Sequence, residues 1–204
     1  MISEEDAAAV AEQLGRPPRG LRYVAHRCPC GLPDVVETAP RLPDGTPFPT
    51  LYYLTCPRAA AAVSGLEADG VMRAMTARLA DDGVRAAYQA AHADYLARRD
   101  AVAAEAGLEP LPRGTQSAGG MPDRVKCLHA LVAHELAAPG TNLFGREALT
   151  AIGPWWSRGC CLPGEPPSGM GDPRPPSLPA PVPADEIHVV TPRGDDPSMS
   201  GETE

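Results

Sequence analysis

The residues best suited to chemistry in this sequence are six cysteines and five histidines, and three short runs hold most of the pattern. The first is Cys28-Pro29-Cys30-Gly31, the second closes Thr55-Cys56-Pro57, and the third is Lys126-Cys127-Leu128-His129. A thiolate serves as a metal ligand, a nucleophile or a redox centre, and its surroundings decide which. Cys56 follows a strand-like run and precedes a proline suited to the first position of a helix. A thiol there faces unpaired backbone N–H groups and the positive end of the helix dipole, which predicts a lowered pKa.

Cys28 and Cys30 flank a proline. In an extended C-x-C segment the two side chains point to opposite faces, so Cys28 is expected to meet Cys56 while Cys30 looks away; a curled turn lets both ligate. On a helix that includes Cys127, His134 shares its face but lies about 10 Å along the axis, too far for one metal with bonds of about 2.0–2.3 Å. His129 joins Cys127 only if the helix begins late and leaves Cys-Leu-His as a non-helical approach.

The leading expectation is one metal, zinc or an iron–sulfur cluster, held by Cys28, Cys56 and Cys127, with Cys30, His129 or an exogenous group as fourth ligand. A competing expectation is a metal-free thiol enzyme. There Cys56 is the nucleophile, and Lys126, the one lysine of the chain, or a histidine lowers its pKa. A third is a non-catalytic adaptor that docks a protein partner through its helical face or its tail. No P-loop, G-x-G-x-x-G, G-x-S-x-G or H-E-x-x-H pattern gives nucleotide binding or standard hydrolase chemistry a handle.

The elements that must position these residues read as α+β. Ser3 and Asp6 cap a short helix over 3–14, and RPPRG breaks the chain. Leu21–Arg27 and Pro33–Thr38, rich in Val and Tyr, read as strands, and the TLYYLT run over 50–55 as a third. A four-proline loop over 40–49 separates the last two. Helices are expected from Pro57 to about Asp69, from Val71 to Asp82, from Gly83 to Ala106, from Pro122 to Ala138, and over 145–152. On the long one Val84, Tyr88, Ala91, Tyr95 and Val102 recur at helical spacing and form its core stripe. His92, one turn from Tyr88 and Tyr95, is expected at the helix surface or the edge of that stripe. The prediction is a small three-stranded sheet in the N-terminal half packed by about four to five helices.

Three regions follow: an N-terminal helix and linker over 1–19, a core domain over 20–156, and a disordered tail over 157–204. The tail holds 11 of the 25 prolines, and eight acids there face three arginines, which leaves −5 of the −8 net charge. Cys160 and Cys161 are assigned to it. The run Glu186–Thr191 within it is strand-like and isolated.

Composition narrows the partners. A net charge of −8 argues against nucleic acid, which takes a basic stripe, and against an anionic membrane surface. No run approaches the roughly 20 apolar residues of a membrane span. The opening MISEED is acidic where a secretory signal is basic and then apolar, so a cytoplasmic location is expected. In that compartment the cysteines read as thiols or metal ligands rather than disulfides.

Three stretches also carry a family resemblance: Arg27-Cys28-Pro29-Cys30-Gly31, Phe48 through Pro57 (FPTLYYLTCP), and Val125-Lys126-Cys127-Leu128-His129-Ala130. Over roughly residues 20–150 the chain resembles the actinobacterial branch of the domain of unknown function 501 family. The resemblance implies a bacterial cytoplasmic protein in a cell-division or phosphate-related setting. It implies no activity and no ligand.

Overall fold

A computed structural model describes residues 2–112 and 114–162. The expected architecture is present: a three-stranded antiparallel sheet in the N-terminal half, with six α-helices among the described residues. Helix α1, Glu4–Leu14, is capped by Ser3, whose hydroxyl accepts from the Asp6 N–H, and ends at Gly15 in the left-handed region. Far from standing apart with its linker, α1 buries Val10 completely, and the Arg27 guanidinium on β1 (Leu21–Arg27) clasps Asp6 with two bonds of 2.8 Å.

Strand β2, Pro33–Thr38, is central, with β1 and β3 on either side. Val24 stands opposite Val36, and Val36 opposite Tyr53. Because it is covered on both faces, β2 reads as a buried run rather than an alternation. Strand β3 is shorter than the TLYYLT run suggests, Tyr52–Leu54. The Leu51 N–H leaves the ladder to donate to the Tyr95 hydroxyl at 2.6 Å.

Helix α2, Pro57–Ala68, begins where Pro57 places it. Helix α3, Val71–Ala77, tightens into a 3-10 turn over Arg78–Ala80 instead of running on to Asp82. Asp81 then caps α4, Asp82–Glu105, by accepting from the Val84 N–H. Tyr88, Ala91, Tyr95 and Val102 of its expected stripe are buried, and Val84 packs at the edge of the core. His92 on the same helix is half-buried and bonds Ser117 at 2.9 Å.

Helix α5 departs from expectation. It spans Leu128–Ala137 and does not start at Pro122. Backbone donors that a helix would use are taken by two glycine carbonyls: Asp123 and Arg124 donate to Gly120, and Lys126 and Cys127 to Gly119. Both glycines have positive φ, and a Cβ on either would come within 2.6 Å of Leu131 or of the Arg124 carbonyl. Helix α6, Leu143–Ile152, starts two residues before its expected position because Asn142 caps it.

Helix α5 packs on β3 and against α6, and α2 packs against both helices. Their apolar faces merge into one core with the sheet and α4. The chain beyond α6 also joins it: Trp155 and Trp156 pack against the core and Cys161 is buried within it. Cys161, expected in the tail after residue 156, is therefore part of the core. The rest of the expected tail, residues 163–204 with the Glu186–Thr191 run, lies outside the described residues. No helix among the described residues is long and apolar enough to cross a membrane.

Candidate metal centre

The Cys28–Leu32 turn is curled. The Gly31 N–H donates to the Cys28 carbonyl at 2.6 Å, the Cys28 N–H donates to the Leu32 carbonyl at 2.9 Å, and Gly31 takes φ +87°. Curling turns Cys30 inward with Cys28. Cys28 is buried and Cys30 half-buried. Cys56 is the N-cap of α2, also buried, and its thiol makes no capping bond.

The third thiol at this place is Cys161. The Sγ atoms of Cys28, Cys56 and Cys161 lie within 4.8 Å of one another, and all three residues are buried. Cys161 also meets Cys30, Sγ to Sγ at 3.4 Å, and forms a second group with Cys30 and Cys160. Two contacts hold this late segment: the Arg58 guanidinium donates to the Cys160 carbonyl at 2.9 Å, and Gln13 of α1 donates to Cys161 Sγ at 3.4 Å. Cys161 thus sits where the expected set put Cys127.

The thiols are shifted in opposite directions. Hydrogen bonds from Cys161 and then Cys56 pull the Cys28 thiol down to about 2, against the opposing pull of burial. Cys161 is held protonated, first by its bond to Cys28 and then by its bond to Cys56. At Cys56 the bond from Cys161 lowers the pKa, but Cys28 and burial outweigh it and push the thiol up to about 12. Burial pushes Cys30 up to about 11. The lowered pKa expected for Cys56 from its helix N-terminus is therefore not realised. Its neighbours are other sulfurs, and Cys28 holds the charge.

Cys127 lies elsewhere. It is the N-cap of α5 in an extended conformation, φ −149° and ψ 112°; the helix begins late, at Leu128, but of the Cys-Leu-His run only Cys127 is non-helical, and His129 meets it from the first turn of α5. Cys127 Sγ is 3.9 Å from His129 Nδ1, and Glu67 Oε1 is 3.2 Å from the same nitrogen. Glu67 also accepts from the Leu128 N–H at 2.7 Å, doing from a distance the capping that Cys127 does not. Cys56 and Glu67 stand at opposite ends of α2, eleven residues or about 16 Å apart along its axis. The single centre of Cys28, Cys56 and Cys127 is thus split into two places. Lys126 is exposed, and among the described residues its ammonium bonds no one.

A family model matches residues 24–150, described as a protein of unknown function, DUF501. The chain belongs to this family. The DUF501 segment contains Cys28, Cys30, Cys56, Glu67, Cys127 and His129 and stops short of Cys160 and Cys161. No curated protein and no solved structure matches the chain.

Two participants escaped the sequence reading. Cys161 was hidden by its place after Gly153-Pro154, in a stretch already turning proline-rich, although vicinal cysteines beside two tryptophans were a signal of burial. Glu67 was hidden as one acid among many on a helix, and no local spacing links it to Cys127.

Proposed function

We propose that this DUF501 protein binds one thiophilic metal through Cys28, Cys56 and Cys161, with Cys30 as the fourth ligand. The observation that carries the reading is the mutual approach, within 4.8 Å, of three buried sulfurs from three separate segments. Ligands of one tetrahedral zinc lie about 4 Å from each other, so the approach needs little adjustment. Three buried thiolates closed by the half-buried Cys30 suit structural zinc, and the same donors suit an iron–sulfur cluster. Bound there, the metal fastens the β1–β2 turn, the start of α2 and the segment after α6 into one unit, and its binding energy becomes folding energy. The thiol-enzyme reading gains less support, because Cys56 is wholly buried with a raised pKa.

The test is metal analysis and the visible spectrum of untagged protein purified without oxygen. Colourless protein that binds one zinc fewer in Cys28→Ser supports the structural site. Brown protein with iron and sulfide supports the cluster on the same thiols. Folded protein in which Cys28→Ser changes neither metal content nor colour overturns the reading.

A further inference from the structure

We infer that Glu67, Cys127 and His129 form a second site, for a borderline divalent cation such as zinc, independent of the buried cysteines. The three offer one sulfur, one nitrogen and one oxygen, and these atoms lie within 4.8 Å of one another. The donors come from the end of α2 and the start of α5, two helices packed on each other.

Each ligand is already aimed. His129 turns Nδ1 to Cys127 and Glu67, and its Nε2–H donates to the Ala60 carbonyl at 3.1 Å. Such a bond from the far ring nitrogen to a backbone carbonyl is the outer support found behind metal-ligating histidines, where it fixes ring orientation and tautomer. The Leu128 N–H holds Glu67 Oε1 and leaves the other carboxylate oxygen free to turn to the same cation. A Glu67–His129 ion pair needs no thiol, yet Cys127 faces the same nitrogen.

The two places differ in exposure. The Cys28–Cys56–Cys161 group is buried, whereas Glu67, Cys127 and His129 are each half-buried, with His129 and Glu67 side chains 28% and 23% exposed. Three protein ligands at a solvent-reached place leave a fourth position for water or another oxygen donor, the arrangement of a catalytic zinc rather than a structural one. Mixed sulfur, nitrogen and oxygen donors match zinc or cobalt(II) and suit neither magnesium nor calcium.

Zinc content after equilibrium dialysis, read on the full chain and on Glu67→Gln, Cys127→Ser and Cys28→Ser, tests this. Glu67→Gln keeps an acceptor for the Leu128 N–H and so keeps the helix cap. The site predicts that Glu67→Gln and Cys127→Ser each bind one zinc fewer than the full chain, while Cys28→Ser still binds at this place. It also predicts that zinc slows alkylation of Cys127, located by peptide mass, by roughly tenfold or more in the full chain and in Cys28→Ser, but not in Glu67→Gln. Equal zinc in the full chain, Glu67→Gln and Cys127→Ser overturns the inference, as does Cys127 alkylation indifferent to zinc. Neither result touches the four-thiol centre, which Cys28→Ser reads separately.

Discussion

Cys30 and Cys161 stand 131 positions apart in the chain and 3.4 Å apart at their sulfur atoms. The contact closes a loop that contains every element from β2 to α6, and it makes the short segment after α6 part of the candidate centre. Arg58 and Gln13 brace that segment from α2 and α1, so elements from both ends of the chain converge on it.

The first prediction concerns where the chain can be cut. A chain ending at Leu162 keeps Cys161 and its braces and is expected to bind metal as the full chain does. One ending at Ser157 loses a ligand and opens Cys28 and Cys56 to solvent. Its affinity is expected to fall by more than the about 10–100-fold that losing an outer-shell partner costs. Competition with a chromophoric chelator measures both. Equal affinities for the two truncated chains would remove Cys161 from the centre.

Much of the fold was legible because its signals are local. Pro57 at a helix start, Ser3 at an N-cap and the Tyr88–Val102 stripe each follow from neighbouring residues, and each is present. The start of α5 was not legible, because Gly119 and Gly120 capture the backbone donors of residues that lie several positions away. The candidate site was half legible for the same reason. Cys28 with Cys56, and Cys127 with His129, were read as possible partners from element type and spacing. That they occupy opposite ends of α2, joined by Cys161 and Glu67 respectively, depends on packing that no local pattern encodes.

A contrast between two glycines follows from that packing. Gly145 lies where α6 crosses α5, and a Cβ there would sit 2.2 Å from the Leu131 carbonyl oxygen and 2.9 Å from Glu135 Cβ. Backbone cannot rotate away as a side chain can, so Gly145→Ala must push the helices apart. Overpacking of this kind costs about 1–3 kcal/mol or more. Gly65 is within α2, and a Cβ there meets nothing within 4 Å. Gly65→Ala is expected to stabilise by about 0.5–1 kcal/mol through helix propensity. Thermal melts of the two variants should move in opposite directions. A Gly145→Ala melt at or above that of the unmodified chain would contradict the close crossing.

The pH dependence of stability has a specific source in His134, which is fully buried with its ring stacked on Tyr52 at 6.0 Å and edge-on to Tyr95 at 5.1 Å. The Gly145 N–H donates to Asn142 Oδ1 at 2.9 Å, which fixes that amide and points its Nδ2–H at His134 Nδ1, 3.3 Å away. The ring is therefore neutral, and its Nε2–H donates to Asp94 Oδ2 at 2.9 Å. A second proton would have to sit on Nδ1, against the amide donor and away from water. Burial pushes the His134 pKa below its ordinary 6.5, and the Asp94 carboxylate only partly opposes this. The unfolded chain takes up this proton as pH falls through about 6.5, while the folded chain does not. The stability is complete above that pH and is lost as pH falls toward the folded-state pKa, with a slope approaching about 1.4 kcal/mol per pH unit. His134→Gln cannot titrate. It is expected to be less stable than the unmodified chain at pH 7.5, with the gap narrowing as pH falls toward 5. Loss of metal through thiolate protonation affects both chains alike and drops out of the comparison. Urea titrations at half-unit pH steps measure the gap, and a constant difference across the range would place the titration elsewhere.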